Sequence, residues 1–189
     1  GSTGGATFTG NTSGTCIDVL WVSTISGCSP VTIGSSVESP TCDASGLHSV
    51  AWGSGTTASG GGSHTEGLNT RASGDLSHAE GRDSIASGVG SHAEGHTTIA
   101  SGGNSHAEGG GGIAAGLNSH VGGESFDISN RIIASGKTSF VHFEQTTASG
   151  YIGTYGETSA ILGGTDHNIF PDATSSGIFA GSGNTISTG

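Results

Sequence analysis

Small, polar and bulky positions recur every fourteen residues through the middle of the chain. His48 opens HSVAWGSGTTASGG, Gly62 opens GSHTEGLNTRASGD and Leu76 opens LSHAEGRDSIASGV. Gly90 opens GSHAEGHTTIASGG and Asn104 opens NSHAEGGGGIAAGL. A six-residue fragment, NSHVGG, begins at Asn118, and the period reads as resuming at Glu124 (ESFDISNRIIASGK) and Thr138 (TSFVHFEQTTASGY). Each unit holds two short stretches, SHAEG and TIASG in the clearest cases, bounded by glycine and polar turn formers. That is a strand signature. No unit carries a helical apolar period, and the glycines oppose helix. Two strands and two turns per unit make one coil of a parallel β-solenoid, with coils stacked at the interstrand spacing of about 4.8 Å. Alternation along the strand assigns the faces: Ser, Ala and Gly of SHAEG share one, His and Glu the other.

The flanks differ from the repeat. Residues 1–47 read as an N-terminal β-rich module, with the run CIDVLWVSTI from Cys16 to Ile25, and residues 48–151 as the fourteen-residue β-roll. Residues 152–189 read as a second solenoid segment, in which aligning Ile161 with Ile178 and Ile169 with Ile186 gives a spacing of 17 and Phe170 to Ser175 forms a longer turn.

Composition sharpens this picture. Of 189 residues, 38 are Gly and only 34 are Leu, Ile, Val or Phe; 15 acidic against 4 basic side chains give a net charge of −11. So little bulky apolar content points to disorder on composition alone, but the repeat overrides that inference. A coil this thin has little interior and needs neighbours to cover its faces, so closed self-association, preferably as a homotrimer, is expected. Four basic residues cannot track a phosphate backbone, so no nucleic-acid partner is expected. With no apolar run of eighteen residues, no membrane insertion is expected either. Cys16, Cys28 and Cys42 form an odd set without CxxC spacing, leaving buried thiols or a disulfide as alternatives.

The unit at His48 resembles the head repeat of trimeric autotransporter adhesins, Asn-Ser-Val-Ala-Ile-Gly, two variable residues, Ser, then x-Ala-x-Gly-x. Ser49, Val50, Ala51, Gly53, Ala58 and Gly60 match it, while His48, Trp52 and Thr56 replace Asn, Ile and Ser. The SHAEG variant is similar to repeats in phage tail and appendage proteins and large-virus fibres, as are SAILGGTDHNI and SGIFAGSGNTI near the C-terminus. The resemblance implies a left-handed parallel β-roll, three chains side by side or intertwined, and adhesion to surfaces. The implied partners are two sister copies, other fibre or virion subunits, and a host cell-surface glycan or protein. The implied location is the virion surface or the extracellular space. No anchor barrel or coiled-coil stalk is visible in the sequence, which favours a viral fibre segment over a bacterial adhesin head; a polysaccharide-degrading tailspike is the second alternative.

The sharpest chemical feature is His-x-Glu at one position of consecutive units: His64/Glu66, His78/Glu80, His92/Glu94 and His106/Glu108, with His120 continuing the column. The same positions hold Val50 and Trp52 before it, and Phe126 and Ile128, then Phe140 and His142, after it. These apolar ends imply that the column is buried, inside the coil or at a trimer axis, with His–Glu hydrogen bonds offsetting the cost of burial. A structural polar ladder, a solvated stripe, or a metal ion held on the trimer axis by the eight His and Glu residues are the competing readings. His96 and His167 lie off the column and are expected to face solvent. No nucleophile elbow occurs, and Asp75 with Asp83 or Asp166 with Asp172 read as turn residues, so no catalytic residue is assigned. Glycan contact would fall on Thr165 to Thr174 or on Tyr151 and Tyr155.

Overall fold

The computed structural model describes residues 31–34, 42–125, 131–142 and 152–188. Among them are twenty short strands and no helix, in two ten-stranded parallel sheets whose strands alternate along the chain. The protein is thus an all-β parallel solenoid. One sheet, here the histidine sheet, contains Val50–Ser54, His64–Leu68, His78–Ala79, His92–Ala93 and His106–Ala107. The other, the isoleucine sheet, contains Thr57–Ala58, Arg71–Ala72, Ile85–Ala86, Ile99–Ala100 and Ile113–Ala114.

Register follows the period. His64 pairs with His78, His78 with His92, His92 with His106 and His106 with His120, each step fourteen residues. Ile85, Ile99 and Ile113 do the same on the other sheet. The ladder runs past the formal strands: Glu80 donates its N–H to Ala93 O at 2.9 Å, Arg82 to Gly95 O at 2.8 Å and Ser87 to Ala100 O at 2.9 Å. Single bridges from Leu68 through Arg82, His96 and Gly110 to Glu124 form a third file along one corner. Two-residue strands therefore suffice, because the backbone groups around the coil find their partners one rung away.

The interior is narrow. Ala79, Ala93 and Ala107 from one sheet and Ala72, Ala86, Ala100 and Ala114 from the other are wholly buried, with Thr70, Ser84 and Thr98 at the adjoining turn. Ser91 and Ser105 are also buried, each donating its hydroxyl to a turn carbonyl three residues back, on Gly88 and Gly102, at 2.7 Å. A glycine is required after each Glu of the repeat. Gly95, for example, has φ +105°, and a Cβ there would overlap the carbonyl oxygen of Gly109 on the next rung. The turn before each SHAEG strand also uses positive φ, yet accepts His48, Leu76, Asn104 and Asn118 there as well as Gly62 and Gly90.

Three features depart from the sequence reading. Val31–Gly34 pairs with Val50–Gly53, and Asp43–Ala44 with Thr57–Ala58, so both ladders already run through part of the segment read as an N-terminal module. Residues 1–30, with Cys16 and Cys28, lie outside the described residues; the Cys42 thiol is free and donates to Gly53 O at 2.8 Å. The second departure is the rung after His120, which holds twenty residues: His120 pairs with Phe140 and Ile113 with Ile133. NSHVGG supplies one strand only and cannot close a coil, so it merges with the following unit. The place next to His120 thus goes to Phe140, not Phe126; Phe126 and Ile128 themselves lie outside the described residues. Phe140 to Ala160 is again twenty residues. In both long rungs the crossing from histidine sheet to isoleucine sheet grows from seven residues (His106 to Ile113) to thirteen (His120 to Ile133, Phe140 to Gly153), while the return stays at seven (Ile133 to Phe140).

The C-terminal rungs have the expected spacing of seventeen, with Ile161 on Ile178 and Ile169 on Ile186. From the twenty-residue rungs onward the interior is larger: Val121, Val141, Ile161 and Ile169 are fully buried where alanine or threonine stood before. His167, expected at the surface, is also fully buried. The wider coil gives it room, its Nδ1 accepts the Asn184 N–H at 3.1 Å, and its Nε2 fills the space beside Gly164 that a Cβ would occupy.

Two substitutions test the steric basis of the stack. Gly95→Ala is expected to cost about 3 kcal/mol, from left-handed backbone strain plus the clash with the next rung. Leu76→Asn, at φ +56° on an exposed corner, is expected to stabilise by about 1 kcal/mol because asparagine tolerates that conformation. Denaturant unfolding of the two variants against the wild type reads both.

Candidate functional site: an imidazole–carboxylate column

With Ser and Ala of each SHAEG strand turned inward, alternation sends His and Glu outward from the histidine sheet. The column therefore does not lie inside the coil. Its histidine side chains at 92, 106 and 120 are 36%, 34% and 30% exposed and the glutamates at 80, 94 and 108 are 29%, 35% and 33% exposed. The interior has room only for alanine-sized groups, which leaves the outer face as the one place for a ring.

On that face the rings stack. His64 and His78 have centroids 4.6 Å apart at 9°, His78 and His92 4.7 Å at 4°, and His92 and His106 4.9 Å at 4°. His120 tilts by 55° from His106 and lies 4.8 Å from Phe140, whose ring ends the file. At the other end Val50 pairs with His64 and Trp52 with Glu66, and Trp52 is 51% exposed.

Glu80, Glu94 and Glu108 each approach the histidine of the next rung, twelve residues on. Glu80 Oε1 lies 3.5 Å from His92 Nε2, Glu94 Oε1 3.4 Å from His106 Nε2 and Glu108 Oε1 3.3 Å from His120 Nε2. Only the last has hydrogen-bond geometry; Nε2 of His78, His92 and His106 is shut off from solvent without one. The side chains therefore meet between rungs, which the His-x-Glu spacing within each SHAEG did not reveal. His142 was expected on the column and reaches Glu108 Oε1 at 4.0 Å, across Gly122, where the glutamate of the series is missing.

The file of like groups sets its protonation. Hydrogen bonding with the Glu66 and then the Glu94 carboxylate pushes Glu80 up to about 7, with burial and their charges adding to it. Glu94 is held below its ordinary value, first by that hydrogen bond with Glu80 and also by the His92 and His106 imidazoles. A proton on Glu80 thus serves its neighbours as a donor. His78, His92 and His120 are all lowered, first by burial, and His78 and His92 next by the neighbouring imidazoles.

Three sets bring one imidazole nitrogen and two carboxylate oxygens within 4.8 Å of one another: Glu66, His78, Glu80; Glu80, His92, Glu94; and Glu94, His106, Glu108. The glutamates also line an open groove together with Glu124, His142 and Leu162. Off the column, His96 is exposed and its Nε2 lies 2.7 Å from the Arg82 guanidinium. The carboxylates read as turn residues occupy turns: Asp83 and Asp166 have φ +56° and +60°, Asp75 accepts the Gly61 N–H at 2.8 Å, and Asp172 accepts the Thr188 hydroxyl at 2.7 Å. Within Thr165 to Thr174, Phe170 is 43% exposed, while Tyr155 is half-buried and Tyr151 lies outside the described residues. Phe179, at 75%, is a surface aromatic the sequence reading missed; alternation with the buried Ile178 would have found it. No family model, curated protein or solved structure matches the chain.

The pH dependence follows from these directions. Glu80, raised, adds stability that is present in acid and lost as pH rises through about 7. The lowered histidines oppose it: their share is present above the ordinary imidazole value and lost as pH falls below it. In Glu80→Gln the first contribution is gone. In chelator-containing buffer its melting temperature is expected to fall more steeply than that of the wild type between pH 8 and pH 5. Superimposable profiles would show that the carboxyl file holds no shared proton.

Proposed function

We propose that this chain is a structural and adhesive segment of a trimeric viral fibre, a stiff spacer in which the columns of three sister chains face a common axis. The observation that carries this reading is the unequal cover on the two sides of the histidine-sheet strands. The inward side is fully buried, whereas the outward side presents stacked imidazoles and carboxylates only two-thirds covered, bracketed by Trp52 and Phe140. Two sister copies placed against this face would complete the burial. Ile85, Ile99, Ile113 and Ile133, half-buried on the outside of the isoleucine sheet, give a second strip against which a neighbouring coil can pack.

Stiffness follows from the hydrogen-bond ladder, which each rung continues to the next, and the absence of long spans between rungs 50 and 120 leaves few openings for a protease. Adhesion is assigned to the C-terminal rungs. There Phe170, Pro171, Asp172 and Ser187 line a shallow concavity, and Phe179 stands out from the surface nearby in sequence. Flat aromatic faces beside a carboxylate suit a host glycan or a protein loop. The net charge of −11 disfavours anionic membranes and nucleic acid as direct targets. The resemblance of the repeats to adhesin heads and virion fibres points the same way, toward the virion surface.

Sedimentation equilibrium is expected to return the mass of three chains, independent of loading concentration; a monomer would overturn the reading. A second experiment tests the placement of the column. Glu94→Ile with His106→Val is expected to keep the trimer and raise its melting temperature, because apolar groups of similar size replace both members of a polar pair that the trimer buries. On a solvated stripe the same double variant would instead aggregate.

A further inference from the structure

We propose that the column is a file of divalent transition-metal sites, each built within a single chain from one histidine and the carboxylates on either side of it. The sets are Glu66–His78–Glu80, Glu80–His92–Glu94 and Glu94–His106–Glu108, each with its donor atoms within 4.8 Å. No set requires a second chain, so the proposal stands independently of the trimer.

The first argument is the state of the nitrogens. Nε2 of His78, His92 and His106 is closed to solvent and has no hydrogen bond, which leaves a good ligand atom unused. Two of the three already sit beside a carboxylate oxygen at 3.5 and 3.4 Å. Zinc bonds of about 2.0–2.2 Å in a tetrahedron place ligand atoms about 3.3–3.6 Å apart, so these pairs need little movement. The remaining carboxylates of those two sets, Glu94 and Glu108, are about one-third exposed, and each would turn toward the ion from the next histidine of the file.

The second argument is the carboxylates. They repeat at the rung spacing along one face, and among the described residues their ion-pair partners are all histidines. Arg82 is engaged by Asp83 at 3.7 Å and Arg131 by Thr97 O at 3.0 Å, so neither serves the column. A divalent ion between rungs answers this repulsion, which a shared proton answers only in part. One imidazole nitrogen and two carboxylate oxygens suit a borderline ion such as Zn²⁺ or Co²⁺. Mg²⁺ takes oxygen and water instead.

Occupancy follows from the sharing of ligands. Glu80 belongs to the first two sets and Glu94 to the last two, while the first and third have no residue in common. Two ions per chain therefore fill the column without dividing a carboxylate. The third set has further donors, since His120 Nε2 and His142 Nδ1 lie 3.3 and 4.0 Å from Glu108 Oε1; it binds the tighter of the two.

The test uses the full chain without a polyhistidine tag, stripped with EDTA, dialysed and titrated with Co²⁺ and with Zn²⁺. Visible absorbance of bound Co²⁺ and elemental analysis are expected to give two ions per chain. His92→Gln should keep two, His78→Gln should fall to one, and removal of His78, His92, His106, His120 and His142 together should leave none. No bound cobalt in the wild type, or unchanged binding in the fivefold variant with its β-sheet circular dichroism intact, overturns the proposal. One reading needs no variant: Zn²⁺ is expected to raise the wild-type melting temperature at pH 7.5 and Mg²⁺ is not. No rise with Zn²⁺, or an equal rise with both, sinks it.

Discussion

Rungs stacked at the backbone hydrogen-bond spacing place every residue against its counterpart one coil away, about 4.8 Å distant. Each position in the repeat must therefore tolerate its own likeness. Alanine does so by packing methyl on methyl, as Ala79, Ala93 and Ala107 do. Glycine does so where a neighbouring carbonyl leaves no room for a side chain, as at Gly81, Gly95 and Gly109. Imidazole does so by stacking its faces. Glutamate is the exception: like charges in file repel, the histidines lie diagonally beside them, and the Glu80 carboxyl is pushed up from its ordinary value. The chemistry of the column is thus a consequence of the ladder, not an addition to it.

That same constraint explains what the sequence disclosed. Because fourteen residues make one rung, the repeats at Gly62, Leu76, Gly90 and Asn104 fixed coil length, strand positions and the inward turn of Ser and Ala before any coordinates. Spacing of Ile161 to Ile178 likewise survived as a true register. Where the period broke, legibility failed. NSHVGG looked like half a coil, yet only the pairing of His120 with Phe140 shows that its residues belong to a longer rung. The apolar ends of the column argued for burial inside the coil or at a trimer axis; an interior sized for alanine excludes imidazole and leaves the first of these out. His167 was misplaced for the converse reason: no local signal told that the last coils are wide enough to take a ring.

Coil width and side-chain size change together along the chain. Alanine and threonine fill the fourteen-residue rungs; those of twenty and seventeen add valine and isoleucine, with Val121, Val141, Ile161 and Ile169 completely buried beside Ala134 and Thr154. More bulk inside means more apolar area removed from water per rung. The C-terminal coils therefore draw more of their cohesion from their own interior than the thin central ones do.

The two twenty-residue rungs lengthen at the same corner, between the histidine and isoleucine sheets, and the ladders above and below them keep their register. Backbone pairing is indifferent to how much chain runs between two paired strands, and closing a longer span costs only a logarithmic increment of entropy. That corner is accordingly a natural grafting point. Foreign peptides spliced there, rung by rung, would be displayed in a vertical row at fixed height, on a mast whose own architecture does not register their presence.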